Sequence, residues 1–288
     1  MPFAPAQRLA IALASAGFAG LAVGATGPAF AQTGLSTSAT PAGPTYADLA
    51  DLADGTPLVV RARIKQQAEV STERAPGLRP GFARLYIEAE TLALIAGTVP
   101  LGESIRYLVD VPRDARGKVP KLKKREVVLF ARPVAGRPSE VQLVRTDGQL
   151  AYSPQLEQRL RPVLAELAAR DAPPQVTGIS DALSVAGNLA GESETQLFLA
   201  TRSGRPASIA VVRRPGMEPV WGVSWSEIID RAASRPQPDT LAWYRLACSL
   251  PTSLPADANL AESPVDRERA ARDYRYVVEA LGDCPRTL

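Results

Sequence analysis

The sequence predicts an α+β protein in two halves, a small closed five-stranded β-barrel followed by an antiparallel meander covered by helices. The first half rests on a single short helix followed by five runs rich in Val, Ile, Leu, Phe or Tyr, each bounded by Gly or Pro. One helix with five antiparallel strands is most economically closed into a barrel. The second half rests on short apolar runs separated by turn pairs and followed by helices that carry their own caps, the pattern of a sheet with helices on one side. Punctuation divides the chain into a signal peptide (1–31), a flexible linker (32–44), a barrel domain (45–150), a helical connector (151–174) and an α+β domain with disulfide-linked C-terminal helices (175–288).

Arg8 is followed by an apolar run from Leu9 to about Val23, the helix breakers Gly27 and Pro28, and then Ala29-Phe30-Ala31 before Gln32. A positive start, an apolar stretch and small residues at −3 and −1 describe a secretory signal cleaved after Ala31. The alternative is an uncleaved anchor, since Leu9–Thr26 is nearly long enough to span a bilayer. Removing residues 1–31 deletes only Arg8 from a net charge of +3. No later run approaches membrane-spanning length, so a periplasmic or secreted chain is expected. Residues 32–44 are small, polar and rich in Pro and Gly, which reads as a tether.

Thr45 opens a short helix as N-cap, with Asp48 at the reciprocal capping position and Gly55 beyond the end. The five expected strands are Leu58–Val70, Ala83–Leu94, Ser104–Val111, Glu126–Val134 and Glu140–Arg145. In the first, Val60, Ala62 and Ile64 share one face while Arg61, Arg63 and Lys65 share the other, as a half-buried strand requires. Ser153-Pro154 then starts an amphipathic helix with Leu156, Leu160, Leu164 and Leu167 on one face. Pro162 is expected to kink or split it, and Asp171-Ala-Pro-Pro174 to end it. Further strands are expected at Ala182–Ala186, Thr195–Thr201, Ala207–Arg213 and Pro219–Ser224. A helix from Trp225 follows, with Ser224 as cap and Glu227 three residues on. Two more helices, over about 240–250 and 264–281, close the chain; the last has Ser263 as cap, Pro264 at its first position and Gly282 past its end.

Three stretches, TYADLADLADGTPLVVRARI, IEAETLALIAGTVPLGESI and KLKKREVVLF, give the first half a further reading. An acidic leading helix runs into a valine-rich first strand, a strand ends near a Gly turn, and a basic turn precedes a VLF strand. This pattern resembles the OB-fold-like domains of some secreted bacterial proteins, and the whole chain resembles an exported bacterial protein. The resemblance implies a barrel architecture and carries no catalytic residue.

The absences narrow the chemistry. With no histidine in the chain, His-based metal sites, Ser-His-Asp and Cys-His nucleophiles and imidazole acid–base work are excluded. No Gly-x-Gly occurs, so neither a dinucleotide fingerprint nor a P-loop is present, and no Ser-x-x-Lys occurs either. No catalytic, cofactor-binding or metal-ligating set is therefore assigned, and no cofactor is expected. The only two cysteines, Cys248 and Cys284, read as a disulfide in an exported chain, because the spacing of a redox-active C-x-x-C pair is missing.

Arg113, Arg116, Lys118, Lys121, Lys123, Lys124 and Arg125 place seven cations within 13 residues, a candidate anion-binding segment. Nucleic acid fits poorly with export, and the run lacks interleaved aromatics for base stacking. An anionic envelope polymer or lipid headgroups fit the compartment better. The other reading is a solvated loop ahead of a buried strand. Glu192 and Glu194, two apart in Gly187–Thr195, with Glu227, form the alternative acid–base set of a carboxylate hydrolase; as a polar hairpin tip the same residues would do no chemistry. Trp221, Trp225, Trp243 and Tyr244 read as core rather than as a sugar-binding surface. The function expected from sequence is that of an exported envelope protein, a non-enzymatic binding or structural module. The alternative is a carboxylate-based hydrolase of envelope polymers.

Overall fold

The computed structural model describes residues 43–146, 148–226 and 234–288, which belong to one compact unit. The expected signal, most of the tether and Glu227 with the helix assigned to it lie outside the described residues; Trp225 and Ser226 themselves form a bend. Helix α1 (Tyr46–Ala53) begins as its sequence dictates. The Asp48 amide donates to Thr45 Oγ1 at 3.1 Å and the Thr45 amide to Asp48 Oδ2 at 2.8 Å, so two otherwise unpaired amides are satisfied reciprocally. Strands β1 (Leu58–Glu69), β2 (Phe82–Ala96), β3 (Ser104–Pro112), β4 (Glu126–Val134) and β5 (Arg137–Leu143) follow. They pair in the order β1-β2-β3-β5-β4, and β4 closes on β1, giving a closed five-stranded barrel of mixed pairing.

Alternation fills the barrel. Leu58, Val60, Ala62 and Ile64 of β1 meet Leu85, Ile87, Ile105, Tyr107, Val127 and Leu129 inside, while Arg61, Arg63 and Lys65 face out. Each fully buried Leu or Ile contributes about 1.5–3 kcal/mol. Where Leu58–Val60 of β1 pair with Leu129–Ala131 of β4, the wall is buried on both faces. Its other residues, Val59, Val128 and Phe130, enter a second apolar cluster that includes α1 and the C-terminal half.

Two expected strand positions shift. The fifth strand runs over Arg137–Leu143 rather than Glu140–Arg145, because Gly136 adopts φ 73° and turns the chain back directly after β4. A short β6 (Gln149–Ala151), not anticipated, then pairs with Val127–Leu129.

Helix α2 (Pro154–Ala168) is capped by the Ser153 hydroxyl as expected but is not split at Pro162. Pro162 lies on the exposed side, where the carbonyl it leaves unpaired reaches water. The helix ends three residues before Asp171. Strands β7 (Val176–Ala186), β8 (Ser193–Thr201), β9 (Ser208–Arg213) and β10 (Val220–Ser224) form an antiparallel meander in sequence order. β7 starts six residues earlier than the sequence indicated. Register shifts at 176/178 and 179/181 interrupt the period-2 pattern that would have marked it.

Helices α3 (Leu241–Ala247) and α4 (Pro264–Leu281) complete the fold, and α4 lays Tyr274 and Val277 into the apolar cluster. A disulfide joins Cys248, the C-cap of α3, to Cys284, with Cα atoms 5.3 Å apart. Trp221 and Trp243 are core residues, as expected. No helix among the described residues is long and apolar enough to cross a membrane.

Candidate functional site

The basic segment between β3 and β4 is pinned to the barrel. Val119 and Leu122 pack against the barrel interior. Gln67 of β1 holds the segment from both sides of its amide: Nε2 donates to the Pro120 carbonyl at 3.0 Å, and Oε1 accepts the Leu122 amide at 2.5 Å. Asp114 accepts the amides of Arg116 and Lys118, each at 2.8 Å. The chain then turns at Lys124, φ 71°, whose amide donates to the Ile64 carbonyl at 2.7 Å, while the Ile64 amide donates to Arg125 at 2.9 Å. Backbone pairing therefore sets Lys123 and Lys124 against the outer face of β1.

There they meet the exposed β1 row. Arg63, Lys65, Gln66, Gln67, Lys123 and Lys124 line a cleft of about 530 Å³. Glu90 is shared by Arg63 at 3.6 Å and Lys65 at 3.1 Å, and Glu126 by Arg61 at 2.6 Å and Arg63 at 2.8 Å. Hydrogen bonds from Arg63 and Arg61 hold the Glu126 carboxyl below the usual glutamate pKa. Lys123 and Lys124 are exposed and have no ion-pair partner among the described residues.

The remaining cations of the segment do not enter the cleft. Arg113 pairs with Glu69 and donates to the Gly117 carbonyl, and Arg125 reaches the Lys121 carbonyl at 3.3 Å. Arg116, Lys118 and Lys121 are exposed to water. Two of the seven sequence-nominated cations thus join two from β1. The β1 pair was visible in the sequence as the polar half of an alternating strand, without any sign that the basic segment folds back over it.

A second barrel groove was not anticipated. β3 and β5 share a single bridging pair, Arg106 with Glu140, and the opening beside it has a volume of about 510 Å³. Tyr86 and Leu108 stand opposite each other across β2 and β3, 40% and 47% exposed. Three arginines surround them. Arg84 is held by both oxygens of the buried Asp110 at 2.7 and 2.8 Å, Arg137 by Glu140 at 3.0 Å, and Arg106 by the Ser139 hydroxyl at 3.0 Å. Three separate strands supply these arginines, so no local motif marks the groove.

The nominated carboxylates do not form a pair. Glu192 precedes β8, so the alternation that would align it with Glu194 does not apply. Its Oε2 accepts the amides of Asn188 and Leu189 at 3.1 and 3.3 Å and closes the turn. Glu194 is exposed and accepts from Gln196 Nε2 at 2.7 Å. No group of three or more Cys, Asp or Glu among the described residues has metal-ligating geometry. No protein-family model and no curated protein matches this chain.

Proposed function

We propose that this chain is an exported, non-enzymatic binding module of a bacterial envelope, whose OB-like barrel engages an anionic polymer or anionic lipid headgroups. The supporting observation is the cleft in which Lys123 and Lys124, without acidic partners among the described residues, stand beside Arg63 and Lys65 of β1. Such a surface attracts repeated negative charge without demanding a single ligand shape. Both parts of the reading can be measured. Intact-mass analysis of the exported protein should show a chain beginning at Gln32; a full-length product confined to the cytoplasm overturns export.

Replacing Lys121, Lys123 and Lys124 by Gln should weaken binding to vesicles rich in anionic lipid, or to an anionic envelope glycan, by about 100-fold, since each lysine near such a surface contributes about 1 kcal/mol. Binding of the parent should fall steeply with salt as the Debye length contracts from about 10 Å at 0.1 M to about 3 Å at 1 M. Comparing vesicles with glycan separates the two classes of ligand. Absence of parent binding to both at low salt overturns the reading.

A further inference from the structure

Away from the barrel, α4 crosses the inner face of the second sheet over polar ground. Asp273 is fully buried; it accepts the Thr195 hydroxyl and, at 2.6 Å, Nε of Arg213 from the end of β9. One turn back on α4, Arg269 is held by Asp266. Arg272, exposed on the same helix, has no hydrogen-bond or ion-pair partner among the described residues. All three arginines line a cleft of about 390 Å³ against the 187–192 turn, a volume suited to a small ligand. The carboxylates hold Arg213 by Nε and Arg269 by Nη1, so the Nη groups of Arg213 and the Nε and Nη2 of Arg269 have no acceptor among the described residues.

Two further features mark the cleft. Ser193 lines it, and its hydroxyl has no hydrogen-bond partner among the described residues. Glu192 contributes the one carboxylate of the lining. It occupies the space beside Gly187, where any Cβ would come within 2.4 Å of it. Its Oε2 is taken by turn amides, which leaves Oε1 as an acceptor for a hydroxyl donor.

We propose that this cleft binds a phosphate or sulfate ester carried on a hydroxylated body, as in a phosphorylated or sulfated sugar. Arg213, Arg269 and Arg272 hold the oxyanion in the forked geometry that guanidinium offers. Ser193 donates to the same group, and Glu192 accepts a hydroxyl of the body. The bare oxyanion has no hydroxylated body to place against Glu192, so it binds more weakly than the ester.

The test is a titration of the isotopically labelled full chain with inorganic phosphate, inorganic sulfate, glucose 6-phosphate and glucose at fixed ionic strength, following backbone amide resonances. The ester should give saturable shifts centred on residues 187–193 and bind tighter than either inorganic ion, with glucose alone giving none. Arg272→Gln should weaken the ester about tenfold, whereas Arg170→Gln, an exposed arginine elsewhere, should leave it unchanged. Glu192→Gln should tighten inorganic phosphate and narrow the preference for the ester. Shifts that do not saturate, that spread over the surface without centring on 187–193, or that survive Arg272→Gln undiminished overturn the proposal.

Discussion

Asp48 is 3% exposed, and its two oxygens accept the amide of Thr45, the amide and hydroxyl of Thr287, and the amide of Leu288. One side chain therefore caps α1 and fastens the segment after α4 to it. Burial alone would raise its pKa, but the hydrogen bonds from Thr45 and Thr287 prevail and hold it below the ordinary aspartate value. A depressed folded pKa means that the ionised form stabilises the fold. That contribution is fully present above the unfolded pKa near 4 and is lost as pH falls through the lower folded value. Asp48→Asn keeps the shape but turns an amide NH₂ toward donors, leaving buried groups unpaired at a cost of about 1–3 kcal/mol. Urea midpoints should therefore show the variant less stable than the parent at pH 7, with the gap narrowing below pH 4. An equal gap at pH 7 and pH 3 would refute this role for the carboxylate.

At the scale of elements, legibility followed regularity. β1 could be read because Val60, Ala62 and Ile64 alternate with Arg61, Arg63 and Lys65, and α1 because Thr45 and Asp48 form a reciprocal cap. β4 lies in the apolar run Glu126–Val134, and its Val127–Ala131 stretch is unbroken because both faces of β4 are buried there. Where geometry departs from period 2, the pattern faded, as at the irregular start of β7, or misled, as at β5, whose polar first residues follow a glycine turn. Sites obeyed the same rule. A cluster contiguous in sequence, Lys121–Arg125, was visible, whereas its partners Arg63 and Lys65 lie some sixty residues away. The arginines of the β3/β5 groove and of the α4 cleft come from elements that meet only in the fold. Spacing alone joins Glu192 to Glu194 in the sequence; in the fold Glu192 closes the turn before β8 while Glu194 lies within the strand, so their roles separate.

At the scale of the molecule, the β1/β4 wall couples the two halves. Its inward residues Leu58, Val60, Val127 and Leu129 fill the barrel, while Val59, Val128 and Phe130 pack in the cluster that holds Leu197, Trp221, Trp243 and Tyr274. The C-terminal elements reach the same place. Nε1 of Trp243 donates to the Leu281 carbonyl at 2.9 Å, and the Cys248–Cys284 bridge closes a loop of 36 positions beside it. Such a crosslink is worth about 4 kcal/mol in the chain-entropy account, which corresponds to a shift on the order of 10 °C in a chain of this size. Because the wall belongs to both cores, neither half can lose its packing without exposing apolar surface of the other. Melting followed by tryptophan fluorescence, which reports only the C-terminal half because all three tryptophans lie there, should coincide with melting followed by far-ultraviolet circular dichroism. Reductant should lower both curves together. Phe130→Ala, made in the barrel wall, should cost about 3–5 kcal/mol and displace the tryptophan curve as far as the dichroism curve. Two separated transitions, or a Phe130→Ala variant whose tryptophan signal melts at the parent temperature, would show that the halves are independent.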